Sequence, residues 1–392
     1  MSDETILSGN DEMLAAGSWV PAQGLAKDEG FRNVSAIWYP KTQSFEEGLE
    51  LVAQQKANRE DITFDVRRAA FDVTDKGITV DIDGRAFTPT DWAARQLCNW
   101  LKVPQTMWVH YKGGDSQDLE LLADAFANGR RKYDTEKKLL FRTYKDGTLR
   151  GVMSDSYSIV DNDWYLETLQ KFVPGGRLSH FRFSDADNFY GNILIPDTIR
   201  SESDSDYGGM LNCGNSAVGK RTVWQTPAIF RFICMNGCVW GAKKGIELRR
   251  RHRGIDLTEF TEAIRANIEK QIPLTTTKMS DLMQTRDMAC VAPIVNIFAA
   301  IAKANNIRAE VLNKTAETWL GNDVGREKNA FGVWDAITRT GQMFDADTWE
   351  SMDEIGGNIL MGGQMGWDRL NAQAALFTDT DIKKVFGNTV AA

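Results

Sequence analysis

The sequence is poor in the residues from which recognisable active sites are built. Histidine occurs three times in 392 residues, at His110, His180 and His252. None falls in an H-E-x-x-H arrangement, and G-x-S-x-G is absent, so a zincin helix and a nucleophile elbow are excluded. Cysteine occurs five times, at 98, 213, 234, 238 and 290. So few, in an odd number, argue for reduced thiols rather than a disulfide framework. No apolar run approaches the roughly 18 residues of a membrane span. The opening MSDETILSGNDEM is acidic and lacks the basic and apolar regions of a signal peptide. The expectation is a cytoplasmic protein with no membrane partner. No repeat of about 20–50 residues is visible, nor a low-complexity block. What is there is globular in proportion: 42% hydrophobic and 26% charged residues.

The net charge of −8 argues mildly against nucleic acid, but it is unevenly spread. Residues 1–60 carry 5 basic and 10 acidic side chains, and 340–392 carry 3 and 8. The span 130–253 carries 21 basic and 14 acidic. Acidic ends flank a basic middle, a pattern that points to a polyanionic partner.

Periodicity predicts an α+β protein: a mostly antiparallel central sheet flanked by helices, with a helical C-terminal third. Residues 1–30 read as a mobile acidic arm, 31–129 as an N-terminal α+β module, 130–272 as a central β-rich basic module and 273–392 as a helical region. Ser44 caps a short helix to Ala57. Residues 62–73 and 78–82 read as a hairpin, and helices start at Asp91 and Asp118, the second closed by Gly129. Lys145-Asp146-Gly147 is the turn of a hairpin over 137–154. A helix over 162–173 and a hairpin over 177–196 precede a polar loop at 197–209. Strand resumes over 209–241, and a helix runs from Asp256 to Lys270.

Three constellations invite chemistry. Gly214 to Lys220 has the G-x-x-x-x-G-K spacing of a phosphate loop. Arg221 stands where Ser or Thr should hold Mg²⁺, and the following strand-like run contains Pro227, so a Gly-rich bend fits better. Cys213, Cys234 and Cys238 lack a fourth ligand and read as buried thiols, so no metal and no cofactor are implied. The carboxylates Asp155, Asp161, Asp163, Asp185 and Asp187 fall in turns, where local hydrogen bonding explains them.

The basic stretches with interleaved aromatics carry more. KKLLFRTYKDGTLR, GKRTVW and KKGIELRRRHR combine cations with Phe141, Tyr144 and Trp224. Single-stranded nucleic acid is bound in this way, cations tracking phosphates while aromatic faces stack bases. Outward Lys and Arg alternating with core aromatics would give the same pattern.

The central block resembles a phage- and plasmid-borne family catalogued as domain of unknown function 932. The matching pieces are RTYKDGTLRGVMSDSYSIVDN (142–162), NSAVGK (215–220) and FRFICMNGCVWG (230–241). Residues 87–108, 118–129 and 328–342 fit the same pattern, and the resemblance covers roughly 31–345. It carries no activity with it. The order of helix, antiparallel strands and long helix over 162–270 is similar, at the level of fold, to RecT-like single-strand annealing proteins. That likeness implies a ring or filament of identical subunits whose basic groove holds single-stranded DNA, without a catalytic centre.

The expected function is therefore single-stranded DNA binding and annealing in recombination or replication. Arg142, Lys145, Arg150, Lys220, Arg221, Lys243, Lys244, Arg249, Arg250 and Arg251 would neutralise the backbone, with Tyr144 and Trp224 as base platforms. Two alternatives stay open: an enzyme processing nucleic acid or nucleotides, and a protein-interaction or host-takeover factor.

Overall fold

Two polar side chains set the entry of the chain into its first sheet. Ser44 and Glu47 form a reciprocal capping box and start helix α1, Phe45–Ala57. Asp65 accepts from the Arg67 backbone N–H at 3.0 Å and breaks the strand expected over 62–73 with a 3₁₀ turn. A computed structural model describes residues 42–75, 77–133, 138–183, 188–201, 206–232, 236–239, 248–321 and 327–387; the arm expected at 1–30 lies outside them.

The first sheet has the order β1-β5-β6-β4-β3-β2. Its strands are β1 Arg59–Phe64, β2 Ala70–Thr74, β3 Gly77–Ile82, β4 Arg85–Pro89, β5 Leu139–Tyr144 and β6 Thr148–Ser154. Only the β4–β6 pair is parallel. β5 and β6, which the sequence places in the central segment, are inner strands of this sheet. Helices α2 Asp91–Leu101, α3 Gln105–Tyr111 and α4 Ser116–Arg131 cover it. Gly129 does not close α4 as expected. A Cβ there would fall on the backbone oxygen of Leu101, so this glycine permits close approach of α2 and α4 rather than a cap.

The second sheet holds β7 Arg177–Phe183, β8 Asn188–Ser201, β9 Asp206–Ser216, β10 Val223–Arg231, β11 Asn236–Val239 and β12 Leu248–Arg250. Both short strands pair with the outer edge of β10, β12 along Val223–Gln225 and β11 along Ala228–Arg231. Pro227 lies opposite Leu211 of β9 and, on the outer edge, falls between the stretches that β12 and β11 pair with. Of the polar loop expected over 197–209, residues 197–201 and 206–209 are strand. A register shift between Ile195 and Arg200 is stitched by Thr198, whose hydroxyl accepts from Gly209 N–H at 2.6 Å. Short polar residues tolerate such a bulge, and their composition concealed the strand.

Helices cover both faces of this sheet, and every residue of β9 and β10 is buried. One face packs on α1, on α5 (Asn162–Phe172) and on the first half of α6 (Leu257–Gln284) through Leu169, Phe189, Leu211 and Ile264. The other packs Met210, Phe230 and Phe232 against Met279, Phe331, Trp334 and Leu360. The helix expected to stop at Lys270 runs on through Pro273. Its two halves serve these two different cores, and that burial offsets the hydrogen bond that proline removes. The C-terminal layer comprises α7 Ile294–Asn305, α8 Ala309–Gly321, α9 Ala330–Gly341, α10 Ala346–Ala374 and α11 Asp379–Phe386. Gly363 interrupts α10 with φ 54° and ψ −163°. The architecture is α+β with a helical C-terminal part, its strands divided between two mostly antiparallel sheets. No helix among the described residues is long and apolar enough to cross a membrane.

Candidate nucleic-acid interface

The turn between β9 and β10 joins the two sheets. Gly219 takes φ +74°, a conformation that costs other residues more. The Ser216 carbonyl accepts from the Tyr157 hydroxyl at 3.2 Å. The Ala217 carbonyl accepts from Arg142. The Val218 carbonyl accepts from Trp92 Nε1 at 3.0 Å and from Gln96 Nε2 at 3.2 Å. A phosphate cradle needs N–H groups facing outward and a helix behind them. Here carbonyls face inward and a strand follows, so the G-x-x-x-x-G-K segment is a clasp between sheets, not a phosphate loop.

Arg142 belongs to that clasp. Its side chain is fully buried, with Nε and Nη2 on Asp61 at 2.9 and 2.8 Å and Nη1 on Asp161 at 3.2 Å. These carboxylates hold the guanidinium charged against the desolvation that opposes it. Its donors are committed inward and it offers nothing to a phosphate. Tyr144 is also buried, with the Arg150 guanidinium 4.2 Å from its ring centre. Arg150 pairs in turn with Asp146 at 3.3 Å. Trp224 is buried against Tyr190 and Gly214. Neither aromatic presents an open face, because strand alternation turns both into packed layers.

Other expected cations do reach solvent. Lys145 is exposed at the tip of the β5–β6 hairpin. Arg249, Arg250 and Arg251 are exposed along and just past β12, whose register sets Arg249 opposite Trp224 and Arg250 opposite Val223. Arg249 Nη1 reaches Thr222 Oγ1 at 3.4 Å. Lys220 is half-buried in the clasp, its N–H donating to Ser216 Oγ at 2.9 Å. Lys243 and Lys244 lie outside the described residues.

The strip is anchored by His252, buried between exposed Arg251 and Arg253. Its ring stacks on Tyr157 with centroids 4.9 Å apart and planes at 8°. Burial pulls its pKa down to about 4, so the ring is neutral at pH 7 and adds no charge to the strip.

Arg221 points elsewhere. It pairs with Asp347 at 2.9 Å and with Glu350, both on α10. The same helix sends Asp353 into the second sheet, where it accepts from the Tyr190 hydroxyl at 2.7 Å. Asn212 Nδ2 donates to that hydroxyl at 2.9 Å. Burial raises the Asp353 pKa well above the carboxylate range, which favours its neutral form. One helix over, Asp335 pairs with fully buried Arg231 at 3.1 Å. The acidic C-terminal segment thus neutralises part of the basic middle. The spacing Asp347, Glu350, Asp353 was the available signal, since residues three apart share a helix face.

Beneath α10 the sheet face is polar. Asn188, Tyr190 and Asn192 alternate along β8, and Asn192 lies opposite Asn212 on β9. All four side chains are buried. Five of the asparagine polar atoms, both of Asn188, both of Asn192 and Oδ1 of Asn212, have no hydrogen-bond partner among the described residues. Each such atom costs about 1–3 kcal/mol. The sequence places Asn188, Asn192 and Asn212 on strands but gives no sign that they share one covered face.

Cys213 is buried, its thiol donating to the Gly191 carbonyl at 3.3 Å and its pKa pushed up by burial. Burial likewise pushes Cys98 and Cys290 up to about 11. Cys234 lies outside the described residues, and of Cys238 only the backbone is described. Among the described residues no group of three or more His, Cys, Asp or Glu could hold a metal ion. Compared with known proteins, the chain matches no family model, no curated protein and no solved structure.

Proposed function

We propose that the protein binds single-stranded nucleic acid, DNA in the first instance, and promotes annealing as a phage-type recombination or replication protein. The supporting observation is the exposed arginine strip at Arg249, Arg250 and Arg251, extended by Arg253, with His252 buried and stacked on Tyr157. The overall charge of −8 does not decide binding. Charges farther off than a Debye length of about 10 Å at 0.1 M salt are largely screened, so the charges close to the strip set the attraction. Binding through this strip is mainly electrostatic and indifferent to sequence, because Tyr144 and Trp224 are packed away. Assembly into a ring or filament would extend one short strip into a continuous track.

The test is fluorescence anisotropy with a labelled single-stranded oligonucleotide over a salt series, with duplex as control. Single-strand affinity should exceed duplex affinity and fall steeply with salt. Arg249, Arg250 and Arg251 all changed to Ala should flatten the log–log salt slope by about 2, at roughly 0.7 for each phosphate that is no longer neutralised. An unchanged slope removes the strip from the mechanism, and no binding at low salt overturns the function.

A further inference from the structure

We propose that the sheet face beneath α10 is a second contact surface for single-stranded nucleic acid, and that the N-terminal half of α10 covers it as an acidic stand-in for the strand. This rests on the single-strand-binding reading and adds where the bases go.

The covered face has the chemistry such a site needs. Tyr190 and Trp224 lie side by side, centroids 5.8 Å apart, as stacking surfaces. Asn188, Asn192 and Asn212 bring amides, the groups that pair with base edges. Arg221 stands at the rim with a cation for a phosphate. The cover matches these with complementary groups. Trp349 sets its ring against Tyr190 at 4.7 Å and 64°. Asp347 and Glu350 take Arg221 as phosphates would.

The fit is nonetheless poor. Five amide atoms go unmatched under the helix, whereas polar groups kept permanently inside a fold are almost always paired. A helix that leaves them unmet holds its place weakly, and an occupant with donors and acceptors of its own competes well. The cover also has a joint. Gly363 breaks the helical path of α10, so the segment from Ala346 to Gly362 meets the rest of the helix at a bend rather than through continuous backbone hydrogen bonding. Arg221 lies three residues from Trp224 and Trp224 pairs with Arg249, so the covered face continues into the exposed strip. One strand could run from one to the other.

Two measurements test this on the full chain, with the same single-stranded oligonucleotide. The variant Asp347→Asn with Glu350→Gln should bind about tenfold or more tightly at fixed salt. The control Glu354→Gln with Asp368→Asn makes the same charge change at exposed sites of α10 and should gain less than about threefold. In the wild-type chain, adding the oligonucleotide should speed amide exchange over 346–362 while leaving 257–270 unchanged. Equal gains in the two variants, or exchange over 346–362 that the oligonucleotide slows or leaves alone, overturn the cover while the arginine strip stands. Absence of binding by the wild type and by both variants overturns the cover and the function together.

Discussion

Replacing Arg142 with methionine tests whether the centre of the molecule is a clasp or a binding groove. Methionine keeps the aliphatic stem and removes the guanidinium. Three acceptors then lose a donor: Asp61 loses two bonds at 2.9 and 2.8 Å, Asp161 loses one at 3.2 Å, and the Ala217 carbonyl loses its charged partner. Breaking a buried pair by removing one partner costs about 3–5 kcal/mol. Two features pull the value to the lower end. Asp161 keeps Arg59 at 2.5 Å, and the Asp61 side chain is 25% exposed. We expect a loss of about 3 kcal/mol. In urea, with a slope of about 3 kcal/mol per molar, the midpoint should fall by about 1 M. A chain with several cores need not unfold in one step, so exchange at residues 216–220 and 59–61 should be followed in parallel. Both segments should lose protection before the helical layer does. An exposed phosphate contact would instead change stability by less than about 0.5 kcal/mol. A midpoint shift below about 0.2 M would refute the clasp.

His252 should make stability depend on pH. Its pKa is about 4 in the folded chain against an ordinary value of 6.5, so the unfolded chain binds the extra proton. The stabilisation is complete above about pH 6.5 and is lost as pH falls towards 4, by roughly 3 kcal/mol at most. His252→Phe keeps the stack on Tyr157, and the difference between the two melting curves across that window should vanish if the ring is not buried. Gly129→Ala should destabilise by about 1–3 kcal/mol through its collision with Leu101, against a helix-propensity gain of about 1 kcal/mol; a stabilised variant in thermal melts would disprove the close approach of α2 and α4.

Much of the local structure was legible because local chemistry writes it. Ser44 with Glu47, the Lys145-Asp146-Gly147 turn and the Asp256 cap all sit where their side chains demand. Errors arose where long-range burial overrode a local rule. Proline ends an exposed helix, yet Pro273 lies inside one that bridges two cores. Glycine ends a helix, yet Gly129 makes room for a neighbouring carbonyl. The candidate site was legible only in part, since the sequence shows that a residue is charged but not which way it faces. Arg249, Arg250 and Arg251 face solvent, whereas Arg142 and Tyr144, equally basic or aromatic in sequence, face inward. Three acidic residues at a spacing of three were visible on α10, but not the arginine that Asp347 and Glu350 meet or the tyrosine that Asp353 meets.

The inward-facing turn at Ser216 to Val218 also orders events as the chain leaves the ribosome. Its acceptors are served by Trp92 and Gln96, 126 and 122 residues upstream, by Arg142, 75 residues upstream, and by Tyr157, 59 residues upstream. All four donors are therefore synthesised well before the carbonyls that satisfy them. The first sheet can pair its strands early, since β1 to β6 are complete by Ser154, but its buried arginine waits for the β9–β10 hairpin to arrive. Contacts of such separation close slowly, because the intervening loop must be ordered before they form. Locking of the two sheets is thus a late step, and until it occurs the nascent protein carries a finished sheet whose central arginine is paired with Asp61 but still lacks the Ala217 carbonyl.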